Sequence, residues 1–228
     1  MPAIVLQGGE RYYQEADVNI PAWVVDLASF RRWYHSGDFP EEGRIDYIQG
    51  SVWVDMSMEQ VFSHVQVKTA ITSALFSVAE ADDLGLYLND GLRLSNVGAD
   101  LSAEPDGTFI SNESMEDANI QLIEGKDKGY TEVEGIPDMV LEIVSDSSVK
   151  KDTKRLLRAY WYAGIKEYWL VDVRGERLDF TVFRHAPKGY AAARKKDGWL
   201  KSQVFGKSFR LMRRQDRFGH PRFTLEVR

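Results

Sequence analysis

The sequence predicts an α/β fold, or α+β in a looser classification: a central mixed sheet flanked by helices and extended at both ends. Three observations predict it. The segment PDMVLEIVSDSSVKKDTKRLLRAYWYAGIKEYWLVDV reads as strand, helix and strand, its apolar runs Met139 to Val144 and Tyr168 to Val173 bounding a helical pattern. The stretch RIDYIQGSVWVDM alternates strongly enough for two strands joined at Gln49-Gly50. With 43% hydrophobic residues in 228, the chain can bury about 70% of its unfolded surface around a real core.

Residues 1–43 read as an N-terminal extension, with a helix over Val24 to Trp33 and a polar turn at SGDFPEEG. The hairpin opens a core running over 44–184. From Met58 to Glu80 the positions Val61, Val65, Ile71, Leu75 and Val78 form a helical stripe, interrupted at Lys68. LYLND-GLRLS predicts a second hairpin turning at Asp90-Gly91, since both types tolerate positive φ. AEPDGTFIS is strand-like after its proline, and 112–134 reads as a polar loop or insertion with one helical turn. The strand, helix, strand unit then predicts parallel strands with a right-handed crossover, its helix carrying Leu156, Leu157, Tyr160 and Trp161 and stopping at Gly164. From Leu178 the pattern is of antiparallel strands, ending in a basic β-rich extension over 185–228 packed on the core.

Composition excludes collagen, coiled coil, wholesale disorder and repeat architectures. No window of about 18 apolar residues offers a membrane span, and the start MPAIVLQGGERYY lacks the basic onset of a secretory signal. With no cysteine, disulfides, thiolate nucleophiles and Cys-ligated zinc are all ruled out. A cytoplasmic enzyme or binding module is the expectation. The net charge of -6 is unevenly spread: 184–228 holds 13 Lys or Arg against 3 Asp or Glu. Such a split suits a tail docked on an acidic body or partner, or a nucleic-acid contact.

Glu142 interrupts an otherwise apolar strand, and period two places it with Val140 and Val144. A buried carboxylate costs several kcal/mol unless paired, protonated or bound to a cation. The strand alone leaves open an ion pair with a Lys or Arg of the next helix, or the exposed end of an edge strand. Asp106, with Glu104 two residues earlier, could converge with Glu142 if their strands are neighbours, giving two oxygen ligands for a hard cation such as Mg²⁺. Pro-Asp-Gly is also a common turn.

EPDGTFIS, IPDMVLEIVSDSS and KKDTKRLLRAYWYAGIKEYWLVDV together resemble the Uma-two family of restriction-endonuclease-like proteins, within the PD-(D/E)XK nuclease superfamily. The likeness covers residues 44–184 and is more specific in its second half. It implies a restriction-endonuclease-like core, with Asp106 and Glu142 as metal-binding carboxylates and the Ile143 carbonyl as third protein ligand. It places Asp46 as a further acid at the edge and His64 as a substrate contact, with a hydrogen-bonded helix histidine the alternative. Ser145 and Ser147 correspond to helix-capping serines. The superfamily's lysine is missing: Val144 and Leu156 stand at the places where it would fall. Lys154, Arg155, Lys150 and Lys151 are the nearby candidates for that catalytic cation, Lys154 and Arg155 foremost, and Lys150 and Lys151 also belong to a basic run suited to DNA phosphates. Arginine cannot act as a general base but can stabilise developing negative charge.

The activity implied is Mg²⁺-dependent hydrolysis of DNA phosphodiesters, with Mn²⁺ as a substitute metal, by a homodimer that cuts two strands. The alternative is a catalytically silent nuclease fold used as an interaction or nucleic-acid-binding module. A serine hydrolase has no G-x-S-x-G elbow here, and zinc catalysis has no H-E-x-x-H.

Overall fold

The computed structural model describes residues 4–7, 18–117, 119–125 and 128–228. The mixed α/β class holds, with more strand than the sequence reading allowed. A seven-stranded sheet comprises β1 (Ile4–Gln7), β2 (Arg44–Ile48), β3 (Ser51–Asp55), β5 (Arg93–Asn96), β6 (Leu101–Ala103), β8 (Ile120–Glu124) and β9 (Tyr130–Gly135), in the order β1-β3-β2-β6-β5-β9-β8. A six-stranded sheet comprises β4 (Gly85–Asn89), β7 (Gly107–Ser111), β10 (Met139–Ile143), β11 (Glu167–Asp172), β12 (Asp179–Arg184) and β13 (Ala191–Ala192), in the order β13-β12-β11-β10-β7-β4. Each is antiparallel except for one pair, β5 with β9 and β10 with β11. A third sheet joins β14 (Leu200–Lys201), β15 (Ser208–Gln215) and β16 (Pro221–Val227).

The first helix, α1 (Leu27–Tyr34), starts three residues later than composition suggests, because Asp26 accepts from the Ser29 N–H and Ser29 bonds back in a capping box. Phe30 and Trp33 bury against Ile45, Tyr47, Val52 and Val54, one face of the β2–β3 hairpin. That hairpin turns at Gln49-Gly50 as read, both residues having positive φ. Because side chains alternate, the opposite face of the same hairpin carries Arg44, Asp46, Trp53 and Asp55.

The stripe over Met58 to Glu80 is corrected. Val61–Val65 forms a π turn, and only then does α2 (Gln66–Ala81) begin. The extra residue of a π turn shifts the helical phase, so Val61 and Val65 are exposed while Val67, Ile71, Leu75 and Val78 are buried. Asp90-Gly91 does not close a hairpin: β4 pairs with β7 in one sheet and β5 with β6 and β9 in the other. The chain crosses between sheets there. The presumed polar loop after Ser111 holds a short helix, α3 (Asn112–Glu116), and the pair β8–β9, while residues 118, 126 and 127 of that stretch lie outside the described residues.

β10 and β11 are parallel, as the strand, helix, strand reading required; β10 starts at Met139 as read and ends one residue earlier, and β11 lies one residue earlier at both ends. Their connection begins with a second π turn, Lys151–Leu156, followed by α4 (Leu157–Tyr162), and Gly164 stops it at φ 84°. Met139, Leu141 and Ile143 pack toward α2 and the three-stranded sheet, whereas Val140 packs with Leu156, Ala159 and Tyr160. Glu142 therefore faces the α4 side, where the two large sheets share a core with Trp53, Leu94 and Tyr168. The chain after 185 contributes Leu200, Phe205, Phe209, Phe223 and Leu225 to the core with α2.

Candidate active site

Strand pairing brings Asp106 to Glu142. The β7–β10 ladder ends with Gly107 opposite Leu141, which leaves Asp106 one step further on, beside Glu142. Asp106 Oδ2 accepts from the Ile143 N–H at 2.7 Å, so it is the amide of Ile143 that this structure ties to the acid. Asp106 Oδ1 accepts from both Arg44 Nη atoms at 3.2 Å, and Lys68 Nζ lies 3.6 Å away. His64 Nε2 stands 3.5 Å from Asp106 Oδ2, its Nδ1 3.3 Å from Glu59. Asp106 is fully buried and Glu142 is 1% exposed.

These surroundings split the two acids. Burial disfavours the Asp106 anion, but Arg44, His64 and Lys68 outweigh it and hold the carboxyl well below its usual value. Burial dominates at Glu142 and pushes it well above the carboxylate range, with Asp152 and Asp106 adding repulsion and Lys151 and Arg44 opposing. Glu142 Oε1 accepts from the Tyr160 hydroxyl at 2.6 Å. Asp152, also buried, is raised to about 6 by that burial, and among the described residues its Oδ1 has no hydrogen-bond partner, with Lys151 Nζ 3.8 Å away. His64 is raised to about 9 by Asp106 and Glu59 against its own burial, so it is a cation at neutral pH. Glu59 is lowered to about 2, first by its bond with His64.

Asp46 joins the same buried network from the seven-stranded sheet. Its Oδ2 accepts from Lys151 Nζ at 3.0 Å and its Oδ1 from the Glu104 N–H at 3.0 Å. Lys151 is fully buried, and although burial works against its charge, Asp46, Asp152 and Glu142 raise it above an ordinary lysine. The other cations of the connection lie elsewhere: Lys150 and Lys154 are exposed and Arg155 is half-buried. In a regular helix Lys151 would share the face of Arg155; the i to i+5 spacing of the π turn aligns it with Leu156 and turns it inward.

The sequence assigns no site role to Arg44 or Glu59, and Lys68, Asp90 and Tyr160 read there only as a break in a stripe, a turn and a helix face. Arg44 stands two residues before Asp46 on one strand, and Lys68 four after His64 on one helix, so both spacings were visible. Lys68 Nζ bridges Glu59 at 2.7 Å and Asp90 at 2.6 Å, and Arg44 reaches Asp90 at 3.0 Å.

The donor set suits a hard divalent cation. Asp106, just before β7, and Glu142 on β10 offer hard oxygens at one end of the sheet, and Asp152 adds a third buried carboxylate 3.8 Å from Lys151 Nζ. Glu59, His64 and Asp106 also offer ligand atoms within 4.8 Å of one another. A cleft of about 700 Å³ runs past His64 and is lined by Trp53, Ser57, Ser147, Lys150 and Arg174. Ser57 and Ser147 both donate to Asp55 at 2.6 Å, and among the described residues the buried Trp53 indole N–H has no hydrogen-bond partner.

Comparison with known proteins adds two findings. The model of the family described as Uma2, putative restriction endonuclease, matches residues 7–211. A solved structure described as a putative nuclease belonging to DUF820, from Anabaena variabilis, superposes with a TM-score of 0.58 at 20% identity, covering 80% of this chain and 91% of that one. No curated protein matches. Among the described residues, no helix is long and apolar enough to cross a membrane.

Proposed function

The chain belongs to the Uma2 family of putative restriction endonucleases, and from that premise we propose that it is a Mg²⁺-dependent, cytoplasmic endonuclease hydrolysing DNA phosphodiesters at Asp106 and Glu142. The observation that carries this reading is the meeting of these two buried acids at the end of β7 and β10, beside a buried lysine amine. Asp106 and Glu142, with the Ile143 carbonyl, would hold the cation, which when bound supplies Lewis acidity to a phosphate oxygen and lowers the pKa of a water. Mn²⁺ fits the same oxygens.

The chain's own groups then take distinct parts. Water attacks phosphorus, the bond to the leaving sugar oxygen breaks, and that oxygen needs a proton. His64, protonated and bordering the cleft, can donate from its ring N–H. Lys151 remains an ammonium, so it acts on charge rather than as a base, and Asp46 fixes its Nζ. Arg44 steadies Asp106 and faces the same developing charge. Lys150 on the cleft wall is placed for a flanking phosphate, with Lys154 and Arg155 further along the same connection, while Arg174 is held by Asp146 at 3.0 Å and Asp172 at 2.9 Å. One such site cuts one strand, so two copies would serve a duplex, and light scattering reporting the mass of two chains tests that.

Plasmid DNA incubated with Mg²⁺ or Mn²⁺ should be nicked or linearised, and Asp106→Asn and Glu142→Gln should each lower the rate about 100-fold or more. Cleavage that survives both variants, or that persists in EDTA, overturns the reading. The contact of Arg44 with Asp106 and the placement of Val144 where a lysine is usual favour a second reading, a silent nucleic-acid-binding module. Salt-sensitive DNA binding with no cleavage under any divalent ion would select it.

A further inference from the structure

The β15–β16 hairpin ends in a basic, aromatic tip that the site does not use. Arg214 and Arg222 are directly opposed across the two strands, and both are exposed. Like charges so placed repel, which a hairpin tolerates at a cost. Neighbouring arginines have partners: Arg210 pairs with Glu226 at 2.6 Å, and Arg213 donates to the Gly175 carbonyl at 2.7 Å. Among the described residues, no carboxylate pairs with Arg214, Arg217 or Arg222. Asp216, the nearest acid in sequence, is spent on the turn, accepting from the Phe218 and His220 N–H groups at 2.8 and 2.9 Å. Those bonds hold the tip in one shape, with Phe218 67% exposed and the Arg217 guanidinium 4.6 Å from its ring centre.

The tip adjoins the cleft. His220 stacks on Phe62 with ring centres 4.8 Å apart, and Phe62 belongs to the π turn that carries Ser63 and His64 on the cleft wall. Further along β16, the Phe223 N–H donates to Gln66 at the start of α2. Unsatisfied arginines and an exposed ring on a fixed support, next to a cleft for a phosphodiester, suit a polyanion with flat bases rather than an acidic protein face.

We propose that the tip of the β15–β16 hairpin is a nucleic-acid clamp, with Arg214, Arg217 and Arg222 on backbone phosphates and Phe218 against an unpaired base of the strand entering the cleft. The proposal takes its ligand class from the nuclease reading, but its test requires no cleavage.

The test is fluorescence anisotropy of labelled duplex and single-stranded DNA with the full chain in EDTA, over a series of salt concentrations. Arg214→Ala/Arg222→Ala should weaken binding about tenfold and lower the slope of log affinity against log salt by about 1.8, two phosphate contacts' worth. Phe218→Ala should weaken single-stranded DNA several-fold while leaving the slope unchanged. Arg194→Ala/Lys195→Ala, which removes the same charge from exposed residues beside β13, should leave the slope as it was. Removing the opposed pair should also leave the melting temperature equal or higher, because repulsion is relieved. An unchanged slope in the hairpin variant, an equal fall in the β13 variant, or no DNA binding by the unaltered protein overturns the proposal. Hairpin-dependent binding without any cleavage would sink the nuclease reading and leave the clamp standing; cleavage with hairpin-independent binding would do the reverse.

Discussion

Glu142 and Lys151 are both fully buried, yet their surroundings give opposite consequences for substitution. Burial pushes the Glu142 carboxyl well above the usual carboxylate range, and the Tyr160 hydroxyl donates to it at 2.6 Å. A glutamine carbonyl accepts that bond equally well, so Glu142→Gln should unfold in denaturant within about 1 kcal/mol of the unaltered protein while losing cleavage. Lys151→Met takes from Asp46 the nearer of its two buried cations, leaving Arg93 at 3.6 Å, and should cost about 3 kcal/mol, whereas Lys154→Met, on an exposed side chain, should shift stability by less than about 0.5 kcal/mol. Away from the site, Asp138 is buried, but Lys166 at 2.6 Å and the Ser111 N–H outweigh that burial and hold the carboxyl below its usual value. A depressed carboxyl stabilises the fold above the unfolded pKa near 3.8 and loses that contribution as pH falls through the lower folded value. Asp138→Asn should therefore cost about 1–3 kcal/mol at pH 7, with the gap to the unaltered protein closing below pH 4 in acid titrations followed by circular dichroism.

Among the elements, those legible in the sequence were the ones whose partners are near in the chain. The β2–β3 hairpin and the β10, α4, β11 unit followed from alternation, a glycine stop and apolar runs. The placement of Asp106 beside Glu142 followed from the neighbouring of β7 and β10. What was hidden depends on choices between equivalent local patterns: Asp90-Gly91 has hairpin chemistry, but β4 and β5 find longer-range partners in different sheets. Both helices that carry site residues begin with a π turn, and the wider turn redirects Lys151 inward and takes Val61 and Val65 out of the stripe of α2, leaving Ile71, Leu75 and Val78 as read and adding Val67. Periodicity at 3.6 residues cannot register such an insertion. The pairing of β7 with β4 is itself sensitive to one atom: a Cβ on Gly107 would overlap the Tyr87 hydroxyl, with the Leu141 Cβ 3.4 Å away. Gly107→Ala should cost about 1–3 kcal/mol and displace the neighbouring Asp106, and Tyr87→Phe added to it should recover most of that loss in a double-mutant cycle.

At the scale of the whole molecule, the site is where the two large sheets meet. Arg44, Asp46 and Arg93 come from the seven-stranded sheet, Glu142 from the six-stranded one, and Asp106 and Lys151 from connections that lead into it or on from it. Asp46 and Lys151 already bridge the two halves at 3.0 Å, and Arg93 donates to the Ile45 carbonyl at 2.8 Å behind them. Burial is the main reason that the Glu142 and Asp152 carboxyls are raised, and a divalent ion bound between the acids would offset that cost of carrying charge out of water. An ion that binds only the folded chain stabilises it by mass action, about 2.7 kcal/mol at one hundred times its Kd, which for a domain of this size raises the melting temperature by about 5–10 °C. Titration with Mg²⁺ or Mn²⁺ in scanning calorimetry should show that rise, EDTA should reverse it, and Glu142→Gln should abolish it while melting normally without metal. A rise of equal size in Glu142→Gln would place the ion at the Glu59, His64 and Asp106 group instead, leaving the two sheets joined by protein contacts alone.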